Sequence, residues 1–177
     1  MAMTLITTNT SSNAASSDFT SSIDNSYKLY VFHYYDVNPA TDNVDFGFQG
    51  NVDGQSGYNE TINSQSFRTY HDEADSSEAV GYDGNADQPQ GTALQLLNRD
   101  CGNGADESSA GELFLFNPSG TTYVTNFYAR TNVYTYHNYT ATYFIGGYFN
   151  VTGAIDEIQF KMSSGNMDAV IKMYGVG

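Results

Sequence analysis

Oxygen-bearing side chains recur at every second position in one polar stretch of the chain. Asp83, Asn85 and Asp87 stand at positions i, i+2 and i+4 of this stretch. Calcium takes about six to eight oxygen ligands and is commonly bound by loops in which Asp and Asn alternate. The spacing therefore predicts a weak calcium site, and no other cofactor is expected. An EF-hand would carry Glu at its last ligand position, where this chain has Leu94, so a solvated acidic loop is the simpler interpretation.

The residues that could perform covalent or acid–base chemistry do not form a recognisable constellation. His33, His71 and His137 are far apart in the sequence, and no Gly-x-Ser-x-Gly motif accompanies them. Cys101 is the single cysteine, and it could act as a nucleophile only beside an activating base that the sequence does not indicate. A single cysteine also rules out a disulfide within the chain. The protein is therefore predicted not to be an enzyme.

A tyrosine-rich turn is the other feature with functional meaning. It is bracketed by Tyr134, Tyr136, Tyr139 and Tyr143. Tyrosine is enriched at protein interfaces and also lines sugar-binding surfaces, because its ring is apolar and its hydroxyl is polar. We predict that these four side chains lie in a contact between subunits. A surface that binds sugars is the alternative interpretation.

The charge balance excludes some partners. The chain has 20 acidic residues against 6 Lys and Arg, which gives a formal net charge of −14. Binding to nucleic acid phosphates needs clustered cations, and anionic membrane surfaces attract basic segments, so neither partner is expected. Like charges repel one another, and salt screens that repulsion. The sequence also lacks a long apolar run and a recognisable signal peptide, so no membrane-spanning segment and no secretion are predicted.

Alternating apolar and polar residues predict strands along most of the chain. Residues 44–52 have Val44, Phe46 and Phe48 on one face. Residues 27–37 carry apolar side chains at both parities, which predicts a central strand covered on both faces. Clusters of Pro, Gly, Asn and Ser between such stretches predict turns. The predicted strands are residues 4–8, 18–20, 27–37, 44–52, 58–62, 66–71, 112–116, 122–133, 139–150, 154–162 and 169–174.

Three further segments complete the predicted fold. Residues 1–26 are interpreted as an N-terminal arm with short strands. Residues 73–111 are interpreted as a long polar loop region with one short helix, residues 92–99, capped by Thr92. Residues 158–174 are predicted to form a hairpin that closes a sheet. All 177 residues are therefore predicted to form a single all-β domain. We expect an antiparallel, jelly-roll-like β-sandwich of about eight or more strands with at most one short helix.

Four segments span most of the chain: TLITTNTSSNAASSDFTSSIDNSYKLYVFHYYDVNPATDNVDF, SFRTYHDEADS, GELFLFNPSGTTYVTNFYARTN and YFIGGYFNVTGAIDEIQFKMSSGNMDAVIKMYG. They resemble a family of small virion structural proteins encoded by marine tailed bacteriophages, such as those of cyanobacteria and pelagic bacteria. Within them, strand cores and the turns NPATD, FNPS, SSGN and KMYG carry the likeness. The resemblance implies a β-sandwich subunit of a virus particle, a trimer, with no catalytic signature. The match is weakest over residues 79–103.

The resemblance and the residues together give one expected function and two rivals. The expected function is a capsid decoration (cement) protein, assembled in the host cytoplasm, that binds the major capsid protein as a homotrimer and stabilises the phage head. The first rival is a head or tail fibre module that binds host surface glycans. The second rival, a secreted enzyme or adhesin, lacks both a signal peptide and a catalytic constellation. A decoration protein binds the shell, whereas a fibre module binds cells or sugars when isolated.

Overall fold

The fold is built entirely from strands and turns. A computed structural model describes residues 2–177 and contains thirteen strands and no helix within that range. In chain order the strands are β1 (Met3–Ala14), β2 (Ser17–Phe19), β3 (Leu29–Pro39), β4 (Val44–Val52), β5 (Ile62–Asp72), β6 (Glu78–Tyr82), β7 (Pro89–Gly91), β8 (Gln95–Cys101), β9 (Ser109–Phe116), β10 (Thr125–Tyr134), β11 (Tyr139–Phe149), β12 (Ile155–Met162) and β13 (Met167–Val176). The predicted all-β class is confirmed.

The strands form two antiparallel sheets. The larger, nine-stranded sheet has the order β1-β13-β3-β9-β10-β11-β5-β6, with β7 also paired to β5, and the smaller has the order β2-β12-β4-β8. If β5–β7 and β10–β11 are set aside, eight strands remain. When these eight are counted in chain order, the strands of one sheet are the first, eighth, third and sixth, and those of the other are the second, seventh, fourth and fifth. That order is the topology of a jelly roll, whose two sheets are joined by Greek-key connections.

The two sets of extra strands are added to one sheet only. Strands β10 and β11 continue the larger sheet beyond β9, and β5 pairs with β11 along its whole length. The larger sheet is therefore eight strands wide, twice the width of the smaller one, because β6 and β7 both lie beside β5. Only part of its width lies opposite the other sheet. This asymmetry leaves a broad outer surface on the larger sheet, and that surface is the candidate functional site.

The core lies between the sheets and is rich in aromatic rings. The ring of Phe160 on β12 lies 5.4 Å from the ring of Phe32 on β3, and 6.0 Å and 6.1 Å from the rings of Phe19 and Phe46. All four side chains are at most 2% exposed. Removing such a buried ring costs about 3–5 kcal/mol. Phe160 therefore joins residues from both sheets into one cluster.

The predicted C-terminal hairpin is wrong. Strand β12 pairs with β2 and β4 in the smaller sheet, whereas β13 pairs with β1 and β3 in the larger one. The turn between them, with Gly165 at φ +75°, carries the chain from one sheet to the other. Alternation of apolar residues shows that each strand has one buried face, but it does not show to which sheet the strand belongs.

The predicted helix over residues 92–99 is also wrong, because residues 95–101 form β8. Its partner is β4, with Gln95 opposite Phe48, and Leu97 is fully buried. Tertiary pairing outweighs the weak helix preference of so short a segment. The rest of the predicted loop region 73–111 likewise contains β6, β7 and the start of β9.

Other predictions for the strands are confirmed with adjusted ends. Strand β4 has the predicted bounds, and β3 lies between β13 and β9 as a central strand. The predicted strand 58–62 is wrong, because only Ile62 of this stretch belongs to a strand. In the N-terminal arm, β1 is longer than predicted and reaches Ala14. Met1 lies outside the described residues.

Candidate functional site: an aromatic face on the larger sheet

Two of the three residues of the predicted calcium site, Asp83 and Asp87, have side-chain partners within the chain. Asp83 is 5% exposed, and its Oδ2 lies 3.4 Å from Arg68 Nε and 3.5 Å from Arg99 Nη1. The Asp87 carboxylate accepts a hydrogen bond from the Tyr82 hydroxyl. Because two guanidinium groups already neutralise Asp83, its charge is not available to a cation. Among residues 2–177 no group of three or more His, Cys, Asp or Glu side chains is placed to hold a metal ion.

Arg68 explains why Asp83 is buried. Its Nη1 donates a hydrogen bond to the Tyr143 hydroxyl at 3.0 Å and lies 3.8 Å from Asp100 Oδ2. Its guanidinium also lies over the Tyr70 ring, 5.3 Å from the centroid. A cation held by an aromatic face and by carboxylates is well compensated. Arg68 therefore ties the segment after β6 to β5, β8 and β11.

The predicted tyrosine contact is partly wrong. Tyr143 is fully buried, and burial raises the pKa of its hydroxyl. Tyr134, Tyr136 and Tyr139 are half-buried at the β10–β11 turn. Tyr139 stacks on Tyr70 with centroids 5.3 Å apart. Along β11 alternate side chains point into the core, so Tyr143 belongs to the interior.

The next two candidate catalytic side chains, Cys101 and His33, make contacts that belong to the packing of the fold. Cys101 is buried and donates a hydrogen bond to Asn98 Oδ1, and burial raises the pKa of the thiol well above its usual range. A neutral buried thiol is a poor nucleophile. The His33 ring packs against the Tyr174 ring at a tilt of 53°, and His33 Nε2 lies 3.8 Å from Glu112 Oε2. These surroundings give neither Cys101 nor His33 the features of a catalytic group.

The outer side of the larger sheet carries a group of aromatic rings that the sequence analysis did not single out. Alternation places them there: along β10 every second residue is buried, whereas Tyr128 and its neighbours of the same parity are exposed. Tyr128 lies opposite Phe114 of β9. Phe67 of β5 lies opposite Phe144 of β11 on one side and Tyr82 of β6 on the other. We call this surface the aromatic face; its members are Phe67, Tyr82, Phe114, Phe116, Tyr128 and Phe144.

The rings of the aromatic face stack on one another across strands. The centroids of Phe114 and Tyr128 are 4.4 Å apart with planes at 17°, and those of Phe67 and Phe144 are 4.9 Å apart at 11°. These distances are close to the spacing of about 4.8 Å between paired strands. Each ring therefore covers one face of its neighbour and stands up from the sheet. A sugar stacks on an open ring face, so this arrangement suits contact with protein side chains better than contact with a sugar.

A hollow separates the two stacks. Its volume is about 410 Å³, and its lining includes Phe67, Tyr128, Phe144 and Gly146. Gly146 lies directly opposite Tyr128 and has no side chain to fill the space. Phe67 and Tyr128 remain 42% and 44% exposed and form the rim. The aromatic face thus presents apolar side chains around an open depression.

The sequence contains a signal for this face. In β9, Leu113 and Leu115 point into the core and are fully buried, while Phe114 and Phe116 lie at the opposite parity. A strand that is apolar at both parities is expected to be covered on both faces. Applied to β9 as it was to β3, this rule identifies an outer face that needs a cover.

Comparison with known proteins gives no relative for this chain. It matches no protein-family model, no curated protein and no solved structure. In the described range, residues 2–177, we find no helix that is both long and apolar enough to cross a membrane.

Proposed function

We propose that this protein is a non-enzymatic structural subunit of a virus particle. In this proposal it is a capsid decoration (cement) protein of a tailed phage, which forms a homotrimer and binds the major capsid protein on the outside of the head. It is assembled in the host cytoplasm and resides in the virion. Two features support the proposal: the resemblance of several segments to virion proteins of marine phages, and the jelly-roll topology, which is frequent in capsid proteins.

The aromatic face is the observation that carries the proposal. Clustered exposed aromatic side chains are typical of protein–protein interfaces, whereas monomeric proteins rarely expose such a group. Here Phe67, Tyr82 and Tyr128 are 42%, 63% and 44% exposed within one sheet face. The stacked rings already hold fixed positions, so little side-chain entropy is lost when a partner covers them. We assign this face to the contact between subunits.

The charge of the chain fits a role on a lattice. At −14, individual copies repel one another and the protein stays soluble before assembly. Contacts between such copies are weakened, but a shell presents many binding sites side by side. Linked weak contacts on a lattice give strong overall binding. A cement protein therefore needs complementary surfaces and no active site.

A fibre module that binds host surface glycans is the second candidate, and one observation favours it. A groove of about 690 Å³ crosses the outer side of the larger sheet, and its lining includes His33, Glu112, Arg130 and Asn132. Arg130 Nη2 donates to Glu112 Oε1 at 3.2 Å, so charged and amide groups converge there. Such groups hydrogen-bond sugar hydroxyls. Specific binding of the isolated protein to host cells or to their surface glycans distinguishes this role from the first.

Two measurements test the proposal. In a cryo-EM reconstruction of purified virions we expect regularly spaced trimers of this chain on the head; density only in the tail or at fibre tips would overturn it. In solution, light scattering coupled to gel filtration is expected to show that F67D/Y128D abolishes the trimer contact. Two added carboxylates change the net charge from −14 to −16. The matched control, K161D on the outer side of the smaller sheet, also gives −16 and should leave the trimer intact.

A further inference from the structure

Strand β1 forms an open edge of the larger sheet. In the described part of the chain it pairs with β13 alone, and it is 12 residues long. An edge strand presents unpaired backbone N–H and C=O groups that can pair with another strand. Most of its side chains are exposed or half-buried on both sides of the strand, with Met3 and Leu5 47% and 51% exposed. The outer backbone edge of β1 is thus not paired with another strand, and its side chains are largely accessible to solvent.

This edge lacks two of the features by which proteins usually block strand pairing, which are charged side chains and proline. No Asp, Glu, Lys, Arg or Pro occurs before Asp18, although the whole chain contains 26 charged residues, 20 acidic and 6 basic. The other edge strands differ. Strand β2 has three residues and includes Asp18, β6 includes Glu78, and β8 includes Arg99 and Asp100. Strand β1 is therefore the long uncharged edge of the molecule.

We propose that β1 pairs antiparallel with β1 of a second copy of this chain, about a twofold axis near Asn9. The distribution of charge along the chain favours a second copy as the partner of this strand. Two copies that each carry −14 repel one another, and β1, residues 3–14, brings no charged side chain to this edge in either copy. A twofold axis also matches any strand to itself, because the same surface serves both copies.

The register follows from two irregularities in β1. Its pairing with β13 is interrupted between Leu5 and Thr7 and between Ser11 and Ala14, and the run from Thr7 to Ser11 is regular. A twofold axis at Asn9, the middle of this run, places Thr8 of one copy opposite Thr10 of the other. Both side chains are exposed. Cross-strand Thr pairs stabilise antiparallel strands.

This contact goes beyond the proposed trimer and does not depend on it. The trimer contact uses the aromatic face, whereas this one uses the sheet edge. A threefold and a twofold contact on the same chain join trimers into a continuous net or shell. Such a net is what a protein that reinforces a capsid lattice requires, so the edge contact also specifies how neighbouring trimers are linked.

The test uses the F67D/Y128D chain, in which the aromatic face is blocked. By sedimentation velocity we expect a dimer. Adding T8E/T10E places like charges opposite each other twice, and we expect the dissociation constant to rise at least about tenfold. Adding T8K/T10E instead places opposite charges face to face and is expected to keep the dimer. The control T121E/T122E adds the same two charges at exposed loop positions and should leave the dimer unchanged.

Several outcomes would overturn the β1 contact or its register. A monomeric F67D/Y128D chain with a wild-type-like thermal melt overturns the β1 contact, and so does a dimer that T8E/T10E leaves intact. Loss of the dimer in T8K/T10E overturns the register. Wild-type trimers that do not associate further contradict this inference but leave the proposed function standing. Backbone hydrogen exchange gives an independent reading: residues 7–11 should exchange more slowly in the dimer than in the T8E/T10E variant.

Discussion

The outer sides of the two sheets differ in what covers them. On the smaller sheet, alternate residues of β4 point away from the core, and one of them, Gln49, is only 2% exposed. Its Nε2 lies 3.0–3.2 Å from the carbonyl oxygens of Glu60, Thr92 and Ala93. The chain's own loops therefore cover this side. On the larger sheet the corresponding side carries the aromatic face, and Tyr128 remains 44% exposed.

The two outer sides differ in whether segments of the same chain lie over them. The Gln49 amide on the smaller sheet has partners within the chain, because the segments before and after β5–β7 fold over β4. No comparable segment, within residues 2–177, lies over Phe67 and Tyr128. Loops of the chain itself therefore cover one side, whereas the aromatic face stays exposed on the other and is the proposed contact between subunits.

Removing the Gln49 amide should destabilise the folded chain. In Q49A, partly buried backbone carbonyls of two loops lose their donor. A fully buried group left unsatisfied costs about 1–3 kcal/mol. We expect a loss of about 2 kcal/mol in the free energy of unfolding, measured by urea denaturation. The control is Q159A on the same side, where the Gln159 amide makes one exposed hydrogen bond to Asp18. A Q49A loss no greater than that of Q159A would contradict the self-covered interpretation.

Removing the charge of Asp83 should release Arg68 and Arg99. D83N leaves two partly exposed guanidinium groups without their shared carboxylate, so we expect a loss of about 1–2 kcal/mol after allowance for solvent screening. Millimolar calcium should not raise the melting temperature of the wild type. A calcium-dependent rise that D83N abolishes would restore the predicted calcium site. D87N, which alters the other predicted carboxylate ligand, is the matched comparison.

Salt should strengthen association through the aromatic face. At low ionic strength, copies with a charge of −14 repel one another. Raising the salt concentration to about 1 M shortens the Debye length to about 3 Å and removes most of that repulsion. We expect the trimer fraction to increase with sodium chloride, as measured by sedimentation velocity, while F67D/Y128D stays without a trimer at every concentration. A trimer that dissociates in salt would show that attractive ion pairs hold it together.

The turn after β5 should give a small pH effect. Hydrogen bonds from the Ser76 hydroxyl and from the Ser76 and Ser77 backbone hold the pKa of Asp72 below its ordinary value. The stability that this carboxylate contributes is therefore present above its unfolded pKa of about 4 and is lost as the pH falls through the lower folded pKa. Between about pH 5 and pH 3 the wild type should lose more stability than D72N. Parallel pH profiles in thermal melts would contradict this role.

The fold was largely predictable because its strands carry strong local signals. Strand β4 was predicted with its bounds, and β3 was correctly interpreted as central, since Tyr30 and Phe32 alternate with apolar residues of the other parity. Strand β8 was mistaken for a helix because Leu94 and Leu97 also fit a helical spacing. Its true state depends on β4, which precedes it by more than forty residues. When the spacing of apolar residues in a short segment is ambiguous, its secondary structure is decided by the strand with which it pairs.

The functional surfaces were less predictable than the fold. Tyr143 was predicted to lie in an interface, yet it is buried beneath Arg68. Phe114 and Tyr128 were not singled out, because their stacking joins residues of different strands. Asp83 was predicted to be a calcium ligand because the sequence does not show that Arg68 and Arg99 approach it. In each case the missing fact is a contact between residues far apart in the chain.

Composition and alternation within a few residues were enough to predict the all-β class, the absence of a disulfide, the acidic charge and most strand positions. Three features emerged only from the folded chain: the assignment of β12 and β13 to different sheets, the pairing of Asp83 with two arginines and the exposure of the aromatic face. These features depend on which strands become neighbours. Alternation makes one side of each strand apolar, and packing between distant segments decides what covers the other side.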